Sequence, residues 1–238
     1  MTETCYIALV RHGAYHQRAD APSARQPFAL TDAGLAQART CGAELAKMAT
    51  EHDLAIAPVI HCSKQLRAWQ TAAEIAETLR AAGHDIDQPR ETSALAERGL
   101  GSAANLTVAE IEAVLDADPR YPAPPAGWKS DSDYCLPLEG AESLMQAGER
   151  VAGYLREIAQ TGEKRGATTG GNQLNIVVGH GASIRHACHH LGLMSRDEIA
   201  QLSMFHARPL LLCYSPHDKW RHLAGAWKVR APKEDPID

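Results

Sequence analysis

The stretch Tyr6-Ile7-Ala8-Leu9-Val10-Arg11-His12-Gly13 passes from an apolar, β-type run straight into a cation, an imidazole and a glycine. A run this short and apolar reads as a buried strand, and Gly13 marks the turn that leaves it. Arg11 and His12 then stand at the carboxyl end of that strand, the edge at which open α/β sheets bind ligands. Three residues recur by chance, so the reading needs a second, independent site. Ile176-Val177-Val178-Gly179-His180-Gly181 supplies one: another apolar strand ending in a histidine flanked by glycines. Two strand ends that each deliver a histidine point to one pocket.

The segments between them alternate. Residues 5–10 read as a strand, and residues 14–30, with Pro22 and Pro27, as a loop at the mouth of the site. Thr31 is the expected N-cap of a helix running to about Thr50. Pro58–Cys62 reads as a strand, Ser63 as the N-cap of a helix over Lys64–Ala81, and Gly83 as its end. Strand, helix, strand, helix implies right-handed crossovers and a parallel sheet. The pattern breaks over 85–138, where prolines at 89, 119, 122, 124, 125 and 137 punctuate an insertion expected to fold over the pocket. One helix is expected inside it, Thr107–Asp116, with Glu110 completing a capping box. Ala141–Gln160 has a strong amphipathic helical pattern, and the Gly/Thr-rich stretch from Gly162 to Gln173 reads as mobile. After the His180 strand come a helix at Ala182–Leu191 and a helical segment at Ser195–Met204. Strands at 209–214 and 220–225 follow, joined by a turn over Ser215–Asp218. The whole reads as a single domain over 1–230 with a disordered tail at 231–238.

Composition narrows the function. At 238 residues and 45% hydrophobic content, the chain can bury a sizeable core. Its net charge is -5 and it has no lysine- or arginine-rich block, which argues against nucleic acid or an anionic membrane as partner. No apolar run is long enough to span a bilayer. The start, Met1-Thr2-Glu3-Thr4, lacks a secretory pattern, and the six cysteines are scattered without a C-x-x-C pair. A cytoplasmic chain with reduced thiols is the expectation. A homo-oligomer is left open.

A small anionic substrate remains compatible with an acidic chain if basic groups converge locally, and the strand ends supply them. Arginine presents a planar fork suited to phosphate or carboxylate. A neutral imidazole is a competent nucleophile toward phosphorus without a metal. Arg67, in Ser63-Lys64-Gln65-Leu66-Arg67-Ala68, lies on the first turns of a helix directly after a strand, so it reaches the same sheet edge. Ser183 could add a hydroxyl there, and helix N-termini add amide donors. His186 and His190 stand at i, i+4, a spacing that can chelate zinc, but no third ligand accompanies them, so packing or surface explains them. Neither a metal nor a cofactor is expected. Asp131, Asp133, Glu139 and Glu142 read as a solvated loop and helix start.

These motifs, in order and spacing, resemble the histidine phosphatase superfamily: Leu9-Val10-Arg11-His12-Gly13, Leu30-Thr31-Asp32-Ala33-Gly34, Ser63 through Arg67-Ala68-Trp69-Gln70-Thr71-Ala72, and Val178-Gly179-His180-Gly181-Ala182-Ser183-Ile184-Arg185. The resemblance implies a phosphoglycerate-mutase-like fold, a three-layer α/β/α sandwich with a mostly parallel sheet. It implies His12 as the nucleophile that becomes phosphohistidine, Arg11 and Arg67 as the phosphate clamp, and His180 as a hydrogen-bonding stabiliser of the transition state. Glu97, in Leu95-Ala96-Glu97-Arg98-Gly99, stands at the family's usual place for the proton donor to the leaving oxygen. Gly181 and Ser183 fall to substrate binding. The family's mutases continue the first motif with glutamate and then asparagine, whereas here Gly13-Ala14-Tyr15-His16 follows. The Tyr15-His16 pair is similar to the mitochondrial mutase-like protein phosphatases, which gives His16 a substrate contact and favours hydrolysis. The substrate would be a phosphoprotein or a small phosphometabolite. A phosphoglycerate-mutase-type phosphotransferase and a non-catalytic phospho-ligand binding protein remain the alternatives.

Overall fold

The computed structural model describes residues 4–165, 172–217 and 219–230. In chain order the elements are β1 (Cys5–Arg11), α1 (Asp32–Glu51), β2 (Ala55–Ser63), α2 (Leu66–Ala81), β3 (Arg90–Thr92), α3 (Val108–Ala117) and α4 (Leu144–Arg165). Then follow β4 (Gln173–Gly179), α5 (Gly181–His190), α6 (Arg196–Gln201), β5 (Leu202–Ser203), β6 (Pro209–Ser215), β7 (Lys219–Ala224) and β8 (Lys228–Val229). Six strands form one sheet in the order β3-β2-β4-β1-β6-β7. The first four are parallel; β6 runs antiparallel to β1, and β7 to β6. β5 and β8 pair separately.

Strand alternation builds the three layers. Ala8 and Val10 of β1 pack with residues of α1 and α2 such as Leu45, Ile75 and Leu79, whereas Ile7 and Leu9 pack with Leu155 of α4 and Ile184 of α5. A central parallel strand is covered on both faces, which is why it reads as a continuous apolar run. The insertion carries a third, smaller core of Leu100, Ala103, Ile111, Leu115, Trp128 and Leu136, closed against Ala24 of the 14–30 loop. The two segments are also bonded, Val108 N–H to the Asp20 carbonyl and Arg18 to the Asn105 carbonyl.

Capping chemistry sets the boundaries. Thr31 caps α1, and Thr107 with Glu110 forms the capping box of α3. Several boundaries differ from the expectation, and α4 also runs on to Arg165, past Gln160 and into the stretch read as mobile from Gly162. β2 starts at Ala55 and runs through Pro58, with a register break between Ile56 and Ile60 where the proline supplies no N–H. Ser63 ends β2 instead of capping α2; Gln65 takes the N-cap position and the helix begins at Leu66. α4 begins at Leu144, because Ser143 and Gln146 exchange side-chain to backbone hydrogen bonds at its start. The segment 195–204 is helical only to Gln201, after which Leu202 and Ser203 pair with β8. The tail 231–238, Asp218 of the last turn and residues 166–171 of the Gly/Thr-rich stretch lie outside the described residues. Among the described residues no helix is long and apolar enough to cross a membrane.

The turn after β1 is pressed against the first turn of α1. A Cβ on Gly34 would overlap the Ala14 carbonyl oxygen, and one on Gly13 would lie 2.6 Å from the Gly34 carbonyl oxygen. Gly34→Ala should therefore cost about 1–3 kcal/mol through overpacking of backbone on backbone. Gly153→Ala, at an exposed position of α4 with open space around it, should gain about 0.5–1 kcal/mol. Urea midpoints of the two variants should move in opposite directions.

Candidate active site

Because β2, β4 and β1 are neighbours and parallel, their carboxyl ends set Ser63, His180, Arg11 and His12 side by side. The His12 N–H donates to the Gly179 carbonyl at 3.0 Å, and the Gly13 N–H to Thr71 Oγ1 at 3.0 Å, which ties the turn to α2. His12 Nδ1 lies 2.8 Å from the Gly13 carbonyl oxygen. A carbonyl only accepts, so Nδ1 carries the proton and Nε2 keeps its lone pair. Arg67 Nε donates to that Nε2 at 3.1 Å.

Arg67 is fully buried and joins most of the site. Its Nη1 donates to the Gln26 carbonyl at 2.9 Å and its Nη2 to the Ala24 carbonyl at 3.0 Å, with His180 Nδ1 3.2 Å from Nη2. The guanidinium also lies over the Tyr15 ring, 4.6 Å from its centroid. Tyr15 meets His12 edge-on at 5.2 Å, and its hydroxyl is 2.9 Å from Ser23 Oγ. His12 is only 1% exposed. A phosphoryl group reaching Nε2 must take over the hydrogen bond that Arg67 Nε now makes there.

His180 is the N-cap residue of α5, and its Nε2 lies 2.9 Å from Ser63 Oγ. Arg11 lies over the start of the same helix: a Cβ on Gly181 would come 3.0 Å from Arg11 Cδ. The missing side chain at 181 is what lets the arginine lie so close. Its Nη1 donates to the Met204 carbonyl.

Glu97 is 4% exposed, and its Oε1 accepts from the amides of Arg98 at 2.9 Å and Ser183 at 3.1 Å. Its carboxyl group thus stands at the N-terminus of α5. The Ser183 hydroxyl turns back onto the His180 carbonyl at 3.3 Å. From α4, Arg150 donates to the carbonyls of Ala94, Ala96 and Glu97 and pairs with Glu142 at 2.8 Å, while Glu142 also accepts the Gly99 N–H. Glu142 is therefore half-buried and paired rather than part of a solvated acidic cluster; it braces the backbone that carries Glu97.

Arg11, His12, Arg67, His180 and Glu97 thus come together, with Gly181 and Ser183 against them. His16 does not join them by any described contact: its side chain is exposed, and its amide donates to the Ala29 carbonyl. Trp128 is core, and its indole N–H donates to Glu112, whereas Trp69 is partly exposed. His186 bonds Ser132 Oγ and the Ala182 carbonyl, and His190 bonds the Met145 carbonyl and faces Glu149 at 2.8 Å. Their nitrogens are thus engaged separately, and among the described residues no three His, Cys, Asp or Glu converge on a metal position. Tyr15 and Ser63 were not singled out for the site by sequence reasoning. Ser63 carried a signal, since it closes an apolar run as His180 does.

The electrostatics follow from burial. Burial first, then the Arg67 charge, holds both His12 and His180 well below the ordinary imidazole value, so both are neutral. Burial also brings His186 down to about 4.

The family model for the histidine phosphatase superfamily (branch 1) matches residues 7–224. No curated protein sequence matches the chain. Among solved structures, a mycobacterial glucosyl-3-phosphoglycerate phosphatase superposes with a TM-score of 0.68 at 21% identity, covering 92% of this chain and 97% of its own. A structure described as mycobacterial hydrolase 1 gives 0.69 at 21% identity, covering 93% and 98%. The phosphoglycerate mutase of Bacillus anthracis gives 0.66 at 16% identity, covering 94% and 93%. At these identities the likeness speaks for the fold.

A folded-state value below the unfolded one means that the unfolded chain binds more protons in acid, so stability falls as pH drops below about 6.5. Each of His12, His180 and His186 should contribute about 1.4 kcal/mol per pH unit to that fall, continuing for His186 toward about 4. Urea midpoints at neutral pH and about one unit below 6.5 should differ accordingly. Equal midpoints would mean that these imidazoles titrate freely in the fold. Separately, Arg150→Met should raise amide hydrogen exchange at Ala96 and Glu97 and leave that of β1 unchanged.

Proposed function

Since the chain belongs to the histidine phosphatase superfamily (branch 1), we propose that it is a phosphatase that hydrolyses a phosphomonoester through a phosphohistidine on His12. The observation that carries this reading is the pair of contacts on one imidazole: Nδ1–H held by the Gly13 carbonyl and the Nε2 lone pair facing Arg67. In the first step Nε2 attacks phosphorus, the P–O bond to the leaving group breaks, and Glu97, which enters this step protonated, delivers its proton to the departing oxygen. In the second step Glu97 takes a proton from water, the hydroxide attacks phosphorus, and the P–N bond breaks to release phosphate. Arg11 and Arg67 balance the charge on the transferring group in both, as phosphoryl transfer requires. The two guanidinium groups supply this stabilisation without calling on a metal.

Hydrolysis is favoured over the mutase reaction by the first motif. Where mutases carry a glutamate, this chain has Ala14 and then Tyr15, whose ring packs on both His12 and Arg67. The Tyr15-His16 pair also supports a place near the mitochondrial mutase-like protein phosphatases. Exposed His16, at the mouth, is offered to the substrate, as are Gly181 and Ser183 at the head of α5. The substrate is a phosphoprotein or a small phosphometabolite, chosen by the 14–30 loop and the insertion above it. Six free cysteines agree with a cytoplasmic setting. A non-catalytic binder would be expected to lack part of this set, and all five residues stand together.

Turnover of p-nitrophenyl phosphate in EDTA tests the reading. His12→Ala should abolish it, and an acid-labile phosphoenzyme should form on the parent protein alone. No turnover by the parent would leave the binder, and conversion of 3-phosphoglycerate with a bisphosphate primer would restore the mutase. Glu97→Gln should slow alkyl phosphates by about 10²–10⁴ and p-nitrophenyl phosphate far less, because that leaving group needs no proton. The low value of His12 keeps the nucleophile unprotonated, so the acid limb of the rate should lie well below pH 6.5.

A further inference from the structure

Ser63 ends β2 and is fully buried. Its hydroxyl oxygen faces two groups: the Gln65 amide, which donates to it at 3.3 Å, and His180 Nε2 at 2.9 Å. The other nitrogen of that ring, Nδ1, lies 3.2 Å from Arg67 Nη2. A guanidinium donates and never accepts, so Nδ1 must present its lone pair there. A neutral imidazole has one proton, which is therefore on Nε2 and donated to Ser63 Oγ. The guanidinium that meets Nδ1 also meets His12 Nε2, through its Nε at 3.1 Å. Nδ1 and the nucleophilic nitrogen thus flank the same guanidinium, and the two rings stand 5.1 Å apart.

We propose that Ser63 is a positioning residue for phosphoryl transfer: by accepting the His180 Nε2 proton it holds the ring, whose Nδ1 lone pair Arg67 already sets, in place for Nδ1 to take a proton from the phosphoryl group, and it favours the charged ring that results. This rests on the phosphatase reading. The step balances. A substrate monoanion, R–O–PO₃H⁻, passes its proton to Nδ1, the ring becomes imidazolium, and Nδ1–H donates to the phosphoryl oxygen it has just deprotonated. Nε2–H stays on Ser63 Oγ throughout, now as a charge-assisted hydrogen bond that favours the charged ring. The proton leaves with inorganic phosphate.

The charges facing His180 make such a partner necessary. Arg67 from α2, Arg11 from β1 and Arg150 from α4 all oppose a second positive charge on the ring. Neutral His12, just after β1, adds nothing to offset them, and Glu97 is engaged with the amides of Arg98 and Ser183. Only the incoming phosphate reverses this balance, and the hydrogen bond to Ser63 favours the charged ring that answers it. Without it, Arg67 still keeps the resting proton off Nδ1, but Nε2 has lost the acceptor that holds the ring in place and favours its charged form.

The test has two independent readouts. The first needs no variant: ¹⁵N–¹H correlation of the histidine side chains in the parent protein reads the tautomer directly. The expected result is His180 protonated on Nε2, with Nδ1 gaining a proton when inorganic phosphate is added; a resting Nδ1–H form would overturn the proposal. The second is kinetic. Ser63→Ala should lower kcat on p-nitrophenyl phosphate by about 10–100-fold with KM little changed. It should also move the alkaline limb of kcat down by about one pH unit, and Ser63→Thr should recover most of the rate. A Ser63→Ala enzyme with parental kcat and pH profile would sink the idea while leaving the phosphatase reading intact. If the parent itself shows no turnover, the phosphatase reading fails. Phosphate affinity then decides: weaker binding by Ser63→Ala supports the positioning role at a binding site, and unchanged binding ends it.

Discussion

The site depends on one buried cation making a hydrogen bond to one lone pair, Arg67 Nε to His12 Nε2. Taking a guanidinium out of water is expensive unless its donors are met. Here they are met by two imidazoles and by the carbonyls of residues 23, 24 and 26. The same satisfaction that makes the buried charge tolerable fixes the His12 ring, the second histidine and the 14–30 loop relative to one another. The arrangement is over-determined, as an electrostatic site must be if it is to stabilise charge without reorganising.

That geometry also shows how an acidic chain can carry a locally positive site. Net charge describes the whole surface, but a ligand responds to the local field, and burial strengthens local charges. Two arginines converge at the carboxyl edge of the sheet beside the N-terminus of α5. The two histidines between them stay neutral because burial and the arginines both oppose protonation. The one carboxylate in the cluster is drawn to the helix amides instead of to Arg67. It therefore remains separate from the two guanidinium groups, which suits the acid–base role proposed for it.

Much of the frame was legible in the chain because it is local. Thr31 before an apolar-periodic run, Thr107 with Glu110, and an apolar run closed by Arg-His-Gly are patterns in which the residue and its consequence lie within a few positions. The boundary errors arose where a distant partner outcompeted a local rule. Ser63 has the chemistry of an N-cap, but its oxygen is engaged with an imidazole on the neighbouring strand, and α2 starts later. Glu142 looks like a solvated helix-start acid, but Arg150 and the Gly99 amide hold it. Trp128 belongs to the insertion's own small core, a placement set by contacts and not by local spacing.

By itself the sequence determined which chemistries were available and where each strand ended, since strand-end composition and capping are written in adjacent residues. Tertiary structure decided the rest. The strand order β2-β4-β1 is what makes three strand ends neighbours. The bonds that define the site join residues 55, 113 and 117 positions apart: Arg67 to His12, Arg67 to His180, and His180 to Ser63. No local periodicity encodes separations of that size. Which nitrogen of each imidazole carries its proton follows from those long-range partners alone, because a tautomer is chosen by what lies opposite it in space.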